Sequence, residues 1–253
     1  MKKLLIASVS MLALSAGAAF ADPAQNWSAL SQNGASNGAT LTQQLNGGTL
    51  NTSTINQGLN STSYSPSYEG ATVTQIGSAN STISSGVQQD DYYQTATVSQ
   101  TGNGASNLTS NITQSNYQNT ATVTQLDVNG GMKQNSGVTQ SGQYGLVTVS
   151  QRGSNDQSSV TQSGYANNSN YSGLVPGVGL VSGGVSVEQS GGNALTNISN
   201  VTQTGSYSGA ALTQSGSANG TNYSSVTQAG QSDFASVSQT GGTYIQSLLT
   251  QNG

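Results

Sequence analysis

Residues 119–125 read NTATVTQ, residues 94–100 read QTATVSQ and residues 37–43 read NGATLTQ. In each, a small residue, an aliphatic residue and a glutamine occupy alternate positions, with Thr or Ser between them. A period of two puts the small residue, the aliphatic and the glutamine on one face of a β-strand and the hydroxyl residues on the other. The segments are too short to bury that face alone, so the question is how many more there are and how they are spaced.

The pattern small-x-aliphatic-x-Gln occurs seventeen times, closing on Gln32, Gln43, Gln57, Gln75, Gln89, Gln100, Gln114, Gln125, Gln140, Gln151, Gln162, Gln189, Gln203, Gln214, Gln228, Gln239 and Gln251. Leu, Ile or Val stands two residues before every one of these glutamines. Gly stands two residues after twelve of them, and Asp91, Asn116 and Asp127 replace it in three others. All three replacements tolerate turn geometry.

The gaps between successive glutamines mostly alternate between 11 and 14 residues, so the true unit is about 25 residues with two strands and two turns. A second regularity supports this grouping. Four residues before the glutamine, every odd-numbered copy carries Ser, from Ser28 to Ser247, whereas even-numbered copies carry Ala or Val, as at Ala39, Ala121 and Val147. Strict alternation of two strand types means that each odd strand stacks on odd strands and each even strand on even ones. The fold expected is an all-β, two-strands-per-coil parallel β-solenoid of about 8.5 coils of about 25 residues. At ~4.8 Å per rung the stack is roughly 41 Å long.

Two gaps are clearly larger than the rest, from Gln57 to Gln75 and from Gln162 to Gln189. Both fall where an odd strand turns into an even one, so insert loops at about 60–70 and 164–184 leave the stack from one edge. They hold Pro66 and Pro176, where no ladder hydrogen bond is lost.

Composition removes most chemistries. Charged residues are 5% of the chain, Lys and Arg total 4, and His and Cys are absent. There is no basic patch for nucleic acid or anionic lipid, no imidazole base or ligand, no thiolate and no disulfide. No cofactor is expected. Asp90 and Asp91 are the only paired carboxylates, and they sit in a turn where Asp has a local reason to be. An enzyme is therefore not expected, and nothing matches a calcium-binding nonapeptide. The Asn-x-Ser/Thr sequons are those expected by chance in a chain so rich in Asn and Thr.

The N-terminal segment, Met1 to Ala21, has the form of a secretory signal. Lys2 and Lys3 precede a short apolar stretch, and Ala19-Phe20-Ala21 is an A-x-A site, so cleavage is expected before Asp22. Residues 22–253 then form one solenoid domain with a net charge of 2 − 8 = −6.

In such a stack each glutamine side chain can bond the amides above and below, which satisfies a buried amide without water. Asn37 and Asn119 lie on the same inward parity, six residues before their glutamines, and join the expected ladder set. Identical side chains in register with little charge are the chemistry of cross-β fibrils. The first strand begins at Ser28 and the last ends at Gln251, so both ends of the stack are expected to be open to another chain.

These residues resemble the curlin repeat family, the subunits of curli-type bacterial amyloid fibres. That family's second strand reads N-x-A-x3-Q, matched by Asn119, Ala121 and Gln125 and by Asn37, Ala39 and Gln43. The resemblance covers residues 28–253. It departs in four ways: a longer repeat, more copies than in the familiar subunits, a Ser four rather than six residues before the odd glutamines, and no glycine-rich leader between Asp22 and Ser28. The uncharged C-terminal segment YIQSLLTQNG is similar to a major, fibre-building subunit rather than to the basic final repeat of a nucleator. The resemblance implies a secreted, extracellular, self-assembling fibre on the bacterial cell surface. It further implies a nucleator subunit, an outer-membrane export channel and periplasmic anti-aggregation factors as partners.

One rival class stays open. Outward positions on the even strands run Thr40/Thr42, Thr72/Thr74, Thr97/Ser99, Thr122/Thr124 and Thr148/Ser150, a flat array like the ice-binding face of solenoid antifreeze proteins. A soluble monomeric solenoid binding ice or another surface is the alternative. The eleven tyrosines lie largely in or near turns, and both surface contact and simple packing remain open for them.

Overall fold

In a computed structural model the described residues are 25–33, 36–46, 50–58, 68–78, 80–127, 133–153, 155–165, 172–175, 179–182, 184–191, 196–216, 221–241 and 244–253. Residues 1–21, expected from the sequence to be a signal peptide, Pro66, Pro176 and most of the first insert lie outside them.

The described residues form a nine-stranded sheet, an eight-stranded sheet and a two-stranded hairpin. The nine-stranded sheet takes every odd copy in order, from Gln25–Gln32 to Ile245–Gln251, and the eight-stranded sheet every even copy, from Gly38–Asn46 to Phe234–Thr240. Within both sheets all neighbours are parallel, and each glutamine is in register with the next of its own type, as Gln100 with Gln125 and Gln125 with Gln151. The chain is a parallel β-solenoid, and each rung is identified below by its closing glutamine.

Local chemistry accounts for the rungs. Thr, Val and Ile fit a pleated, half-buried surface, and the alternation sends one face inward: in Thr82–Gln89 the residues Ile83, Ser85, Val87 and Gln89 are buried and their neighbours are not. The aliphatic column two residues before the glutamine, from Leu41 and Ile55 to Val226 and Val237, forms a continuous core together with the small residues of the even strands. A parallel sheet with only one face covered survives here because the two sheets close on each other through that core.

The turns stack as closely as the strands. Past an odd glutamine, two positions take left-handed backbone: the second, at Asp91 (φ 92°) and Asn116 (φ 71°), and the fourth, at Tyr93, Gln118, Tyr144, Tyr207 and Ser232 (φ 54–60°). Sequence alone points only to the second. Asp127 follows an even glutamine and serves differently: it is buried and accepts a 2.6 Å hydrogen bond from Ser106 Oγ. At Gly142, Gly205 and Gly230 the requirement is space, since a Cβ would strike the backbone oxygen of Gly164, Gly230 and Gly253 on the next coil.

The second insert has structure of its own. Ser172–Val175 and Gly179–Ser182 pair antiparallel, with Leu174 opposite Leu180. In the chain this hairpin lies between the odd strand that closes on Gln162 and the even strand that closes on Gln189.

Candidate functional site

All seventeen glutamines enter two side-chain ladders. In the odd sheet Nε2 of each glutamine donates to Oε1 of the next, from Gln32 through Gln57, Gln89, Gln114, Gln140, Gln162, Gln203 and Gln228 to Gln251, at 2.6–3.0 Å. In the even sheet the same bond runs from Gln43 through Gln75, Gln100, Gln125, Gln151, Gln189 and Gln214 to Gln239, at 2.7–3.0 Å. Nearly all these side chains are fully buried.

The second amide proton reaches across the core. Gln89 donates to the Gly70 carbonyl at 3.1 Å, Gln100 to Ser84 at 3.0 Å, Gln114 to Thr95 at 3.1 Å and Gln125 to Thr109 at 2.9 Å. Each acceptor lies five residues before the glutamine of the neighbouring strand in the opposite sheet. A glutamine therefore ties its rung both to the next rung and to the facing sheet. A leucine could fill the space but make neither tie. Aligned amides polarise one another, so a continuous ladder is stronger than its bonds taken singly.

The Ser/Ala alternation now has a cause. Serines of the odd strands face the even ladder: Gln75, Gln189, Gln214 and Gln239 lie 3.1–3.2 Å from the hydroxyls of Ser85, Ser199, Ser224 and Ser247. The odd ladder faces the Ala or Val column of the even strands, which offers no such group.

The ladders are polar. Every donation points toward the later rung, so the first rung of the even ladder presents an acceptor, and Gln43 Oε1 is buried with no hydrogen-bond partner. At the other end Gln239 Nε2 turns to the Tyr223 carbonyl and Ser247 Oγ, at 2.8 and 3.1 Å.

The two asparagines expected in the ladder do other work. Asn119 is buried and bonds turn backbone, donating to the carbonyls of Ser115 (2.6 Å) and Gly142 (2.9 Å) and accepting from Gly145 N (2.8 Å). Asn37 donates to the Asn33 carbonyl at 3.1 Å. An amide ladder at this depth forms instead in the odd sheet, where Asn222 donates to Asn197 Oδ1 (3.3 Å) and Asn197 to Asp156 Oδ1 (2.8 Å). The signal for it was the same parity, six residues before Gln162, Gln203 and Gln228.

That column ends in a buried acid beside an amide. Asp156 Oδ2 and the Oε1 of Gln134, one rung away, are both buried without partners. The even sheet repeats the arrangement: both carboxylate oxygens of Glu69 and the Oε1 of Gln94, one rung away, are buried and unpartnered. Burial raises the Asp156 pKa from 3.8 to about 7, against a lowering by the Asn197 hydrogen bond. Burial, then the charges of Asp90 and Asp91, raise Glu69 from 4.5 to about 8. A proton on either acid would supply a donor to the unpartnered amide oxygen one rung away, Gln134 Oε1 or Gln94 Oε1.

Asp90 and Asp91 point to structural uses: Asp90 Oδ2 accepts from Gln88 Nε2 at 2.9 Å, and Asp91 Oδ2 from the Asn116 backbone N–H at 3.0 Å. Among the described residues no group of three or more acidic side chains is placed to hold a metal. The threonine rows are in register, Thr40 with Thr72, Thr72 with Thr97, Thr97 with Thr122 and Thr122 with Thr148.

Comparison with family models, with curated proteins and with solved structures gave no match.

Proposed function

We propose that the protein is a secreted structural subunit that assembles by nucleated, templated end-to-end stacking into extracellular fibres of the functional-amyloid type, serving biofilm matrix and adhesion. The observation that carries this reading is the pair of unbroken glutamine ladders with a single donor direction. Such a stack has an acceptor end and a donor end, so copies are complementary head to tail and a head-to-head contact would set acceptor against acceptor. Gln43 Oε1 is one acceptor that a preceding rung would satisfy. The outermost described strands, Gln25–Gln32 and Ile245–Gln251, bound the nine-stranded sheet on either side. The backbone ladder of an edge strand is a template for another chain. An incoming chain adds backbone bonds and amide bonds together and folds as it docks.

The resemblance to curlin repeats extends the proposal to the bacterial cell surface, with a nucleator subunit, an outer-membrane export channel and periplasmic anti-aggregation factors as partners. A second reading, a monomeric solenoid binding ice or another surface as an adhesin, rests on the in-register threonine rows. The two are separated by diluting the chain Asp22–Gly253 from denaturant with an amyloid dye, with and without preformed seeds. A lag removed by seeds, and a product with ~4.7–4.8 Å diffraction, is expected for the fibre. A stable, dye-silent, β-rich monomer would replace it with the surface-binding reading.

A further inference from the structure

Six of the eleven tyrosines stand in one file along the edge where odd rungs turn into even ones: Tyr68, Tyr93, Tyr117, Tyr144, Tyr165 and Tyr207. Successive ring centroids are 5.0, 5.5, 5.4, 5.7 and 6.2 Å apart. The first pair is stacked and the other four meet edge to face at 76–78°. Each ring thus meets its aromatic neighbour on the adjacent coil, a full repeat or more away along the chain for most pairs.

The file is held from below. Tyr144 N–H donates to the Tyr117 carbonyl at 2.9 Å and Tyr207 N–H to that of Tyr165 at 3.2 Å. Tyr93, Tyr144 and Tyr207 take left-handed backbone, φ 55–58°, which a bulky residue adopts only where its surroundings impose it. Above, the file is open: Tyr68, Tyr93, Tyr165 and Tyr207 are 40–49% exposed. Phenols that solution can reach are therefore kept in adjacent pairs.

We propose that this file is an oxidative cross-linking site, at which a one-electron oxidant couples phenols of neighbouring coils into dityrosine. A peroxide-driven haem peroxidase is the class of oxidant meant. Each of two tyrosines loses one electron to the oxidant and its phenolic proton to water. The two phenoxyl radicals join through one Cε of each ring, and each of these carbons then gives up its hydrogen as the ring regains aromaticity and its oxygen is reprotonated. Two phenols and one hydrogen peroxide yield one biphenol and two waters. The chain contains no cysteine, so it cannot be stapled by disulfides; this carbon–carbon bond would tie one coil to the next and resist reductants. The inference does not depend on fibre formation, because both partners of every pair belong to one chain.

The test treats the dilute full chain with a haem peroxidase and hydrogen peroxide and reads dityrosine fluorescence on the monomer fraction. Tyr93→Phe/Tyr144→Phe/Tyr207→Phe keeps every ring but removes one phenol from each of the five pairs. Tyr92→Phe/Tyr223→Phe/Tyr244→Phe removes as many phenols from outside the five pairs. The first variant is expected to lower intrachain dityrosine at least about fivefold, and the second to leave it within about twofold of the parent. Equal yields from the two variants, or dityrosine found only in covalent dimers, would overturn the assignment. Should the triple variant lose its β-sheet spectrum, Tyr144→Phe alone with peptide mapping decides: it must lose the 117–144 and 144–165 links and retain 68–93.

Discussion

Gln125→Glu changes one atom of the even ladder, from a donor nitrogen to an oxygen. Three hydrogen bonds meet at this side chain, which is 1% exposed. Its Oε1 accepts from Gln100 at 2.7 Å, and its Nε2 donates to Gln151 Oε1 at 2.7 Å and to the Thr109 carbonyl at 2.9 Å. An ionised carboxylate keeps the first bond and sets its other oxygen against two acceptors. Beyond residue 21 the chain has only Lys133 and Arg152 to offer as cations, and the ladder contains neither. Burial of an unpaired carboxylate raises its pKa by about 3–5 units, and at about 1.4 kcal/mol per unit ionisation costs about 4–7 kcal/mol. When protonated, the new acid has one donor for two acceptors, and the orphaned one costs about 1–3 kcal/mol. Because the folded pKa is raised above the unfolded value, the variant's stability is fully present below about pH 4 and is lost as pH rises through the folded pKa. The assay is urea unfolding of dilute monomer followed by far-ultraviolet circular dichroism, with parent and variant in parallel at pH 4 and pH 9. A parallel parent lets the titration of Glu69 and Asp156 cancel. Gln125→Leu supplies the contrast: it orphans the Gln100 proton and Gln151 Oε1 and costs about 2–6 kcal/mol with no dependence on pH. A parent-to-Gln125→Glu gap that stays constant from pH 4 to pH 9 would refute the ladder as the origin of the effect.

Two further outcomes follow from particular contacts. The raised pKa values of Asp156 and Glu69, about 7 and about 8, make the parent solenoid most stable in acid, with stability lost as pH rises through those values. The double variant Glu69→Gln/Asp156→Asn should flatten that loss in a urea-midpoint series from pH 4 to pH 9. Gly205→Ala drives a Cβ into the Gly230 carbonyl, whereas Gly137→Ala meets nothing within 4 Å. The first should cost about 1–3 kcal/mol and the second should lie within about 0.5 kcal/mol of the parent, both read as shifts in urea midpoint.

Much of the fold was legible because a solenoid repeats its local rule. The parity that places Ala121, Val123 and Gln125 on one face is set within a single strand, and the spacing of glutamines is enough to sort strands into two sheets. The register of Gln125 between Gln100 and Gln151 follows from that sorting without any knowledge of the turns. What the spacing could not reveal is which column faces which. The serines of the odd strands look like a mark of identity in one dimension. Across the core they are hydroxyl partners of the even glutamines, as Ser85 is of Gln75. The inward position six before the glutamine was read through Asn37 and Asn119, yet its side-chain ladder forms at Asn197 and Asn222. Neighbours on the next rung decide the outcome there: Asn119 has Gly145 beside it in the stack and turns to backbone, while Asn197 has a carboxyl on one side and an amide on the other.

The sequence by itself determined the strands, their two classes, their parallel stacking and the inward parity of seventeen glutamines, because alternation and spacing are properties of the chain read in order. Only the tertiary structure decided the common direction of the amide bonds, the placing of Asp156 and Glu69 one rung from the unpartnered amide oxygens of Gln134 and Gln94, and the file of six tyrosines. Those depend on side chains remote from one another in the chain meeting through space, at turns where the repeat is least regular and the contact between coils is closest.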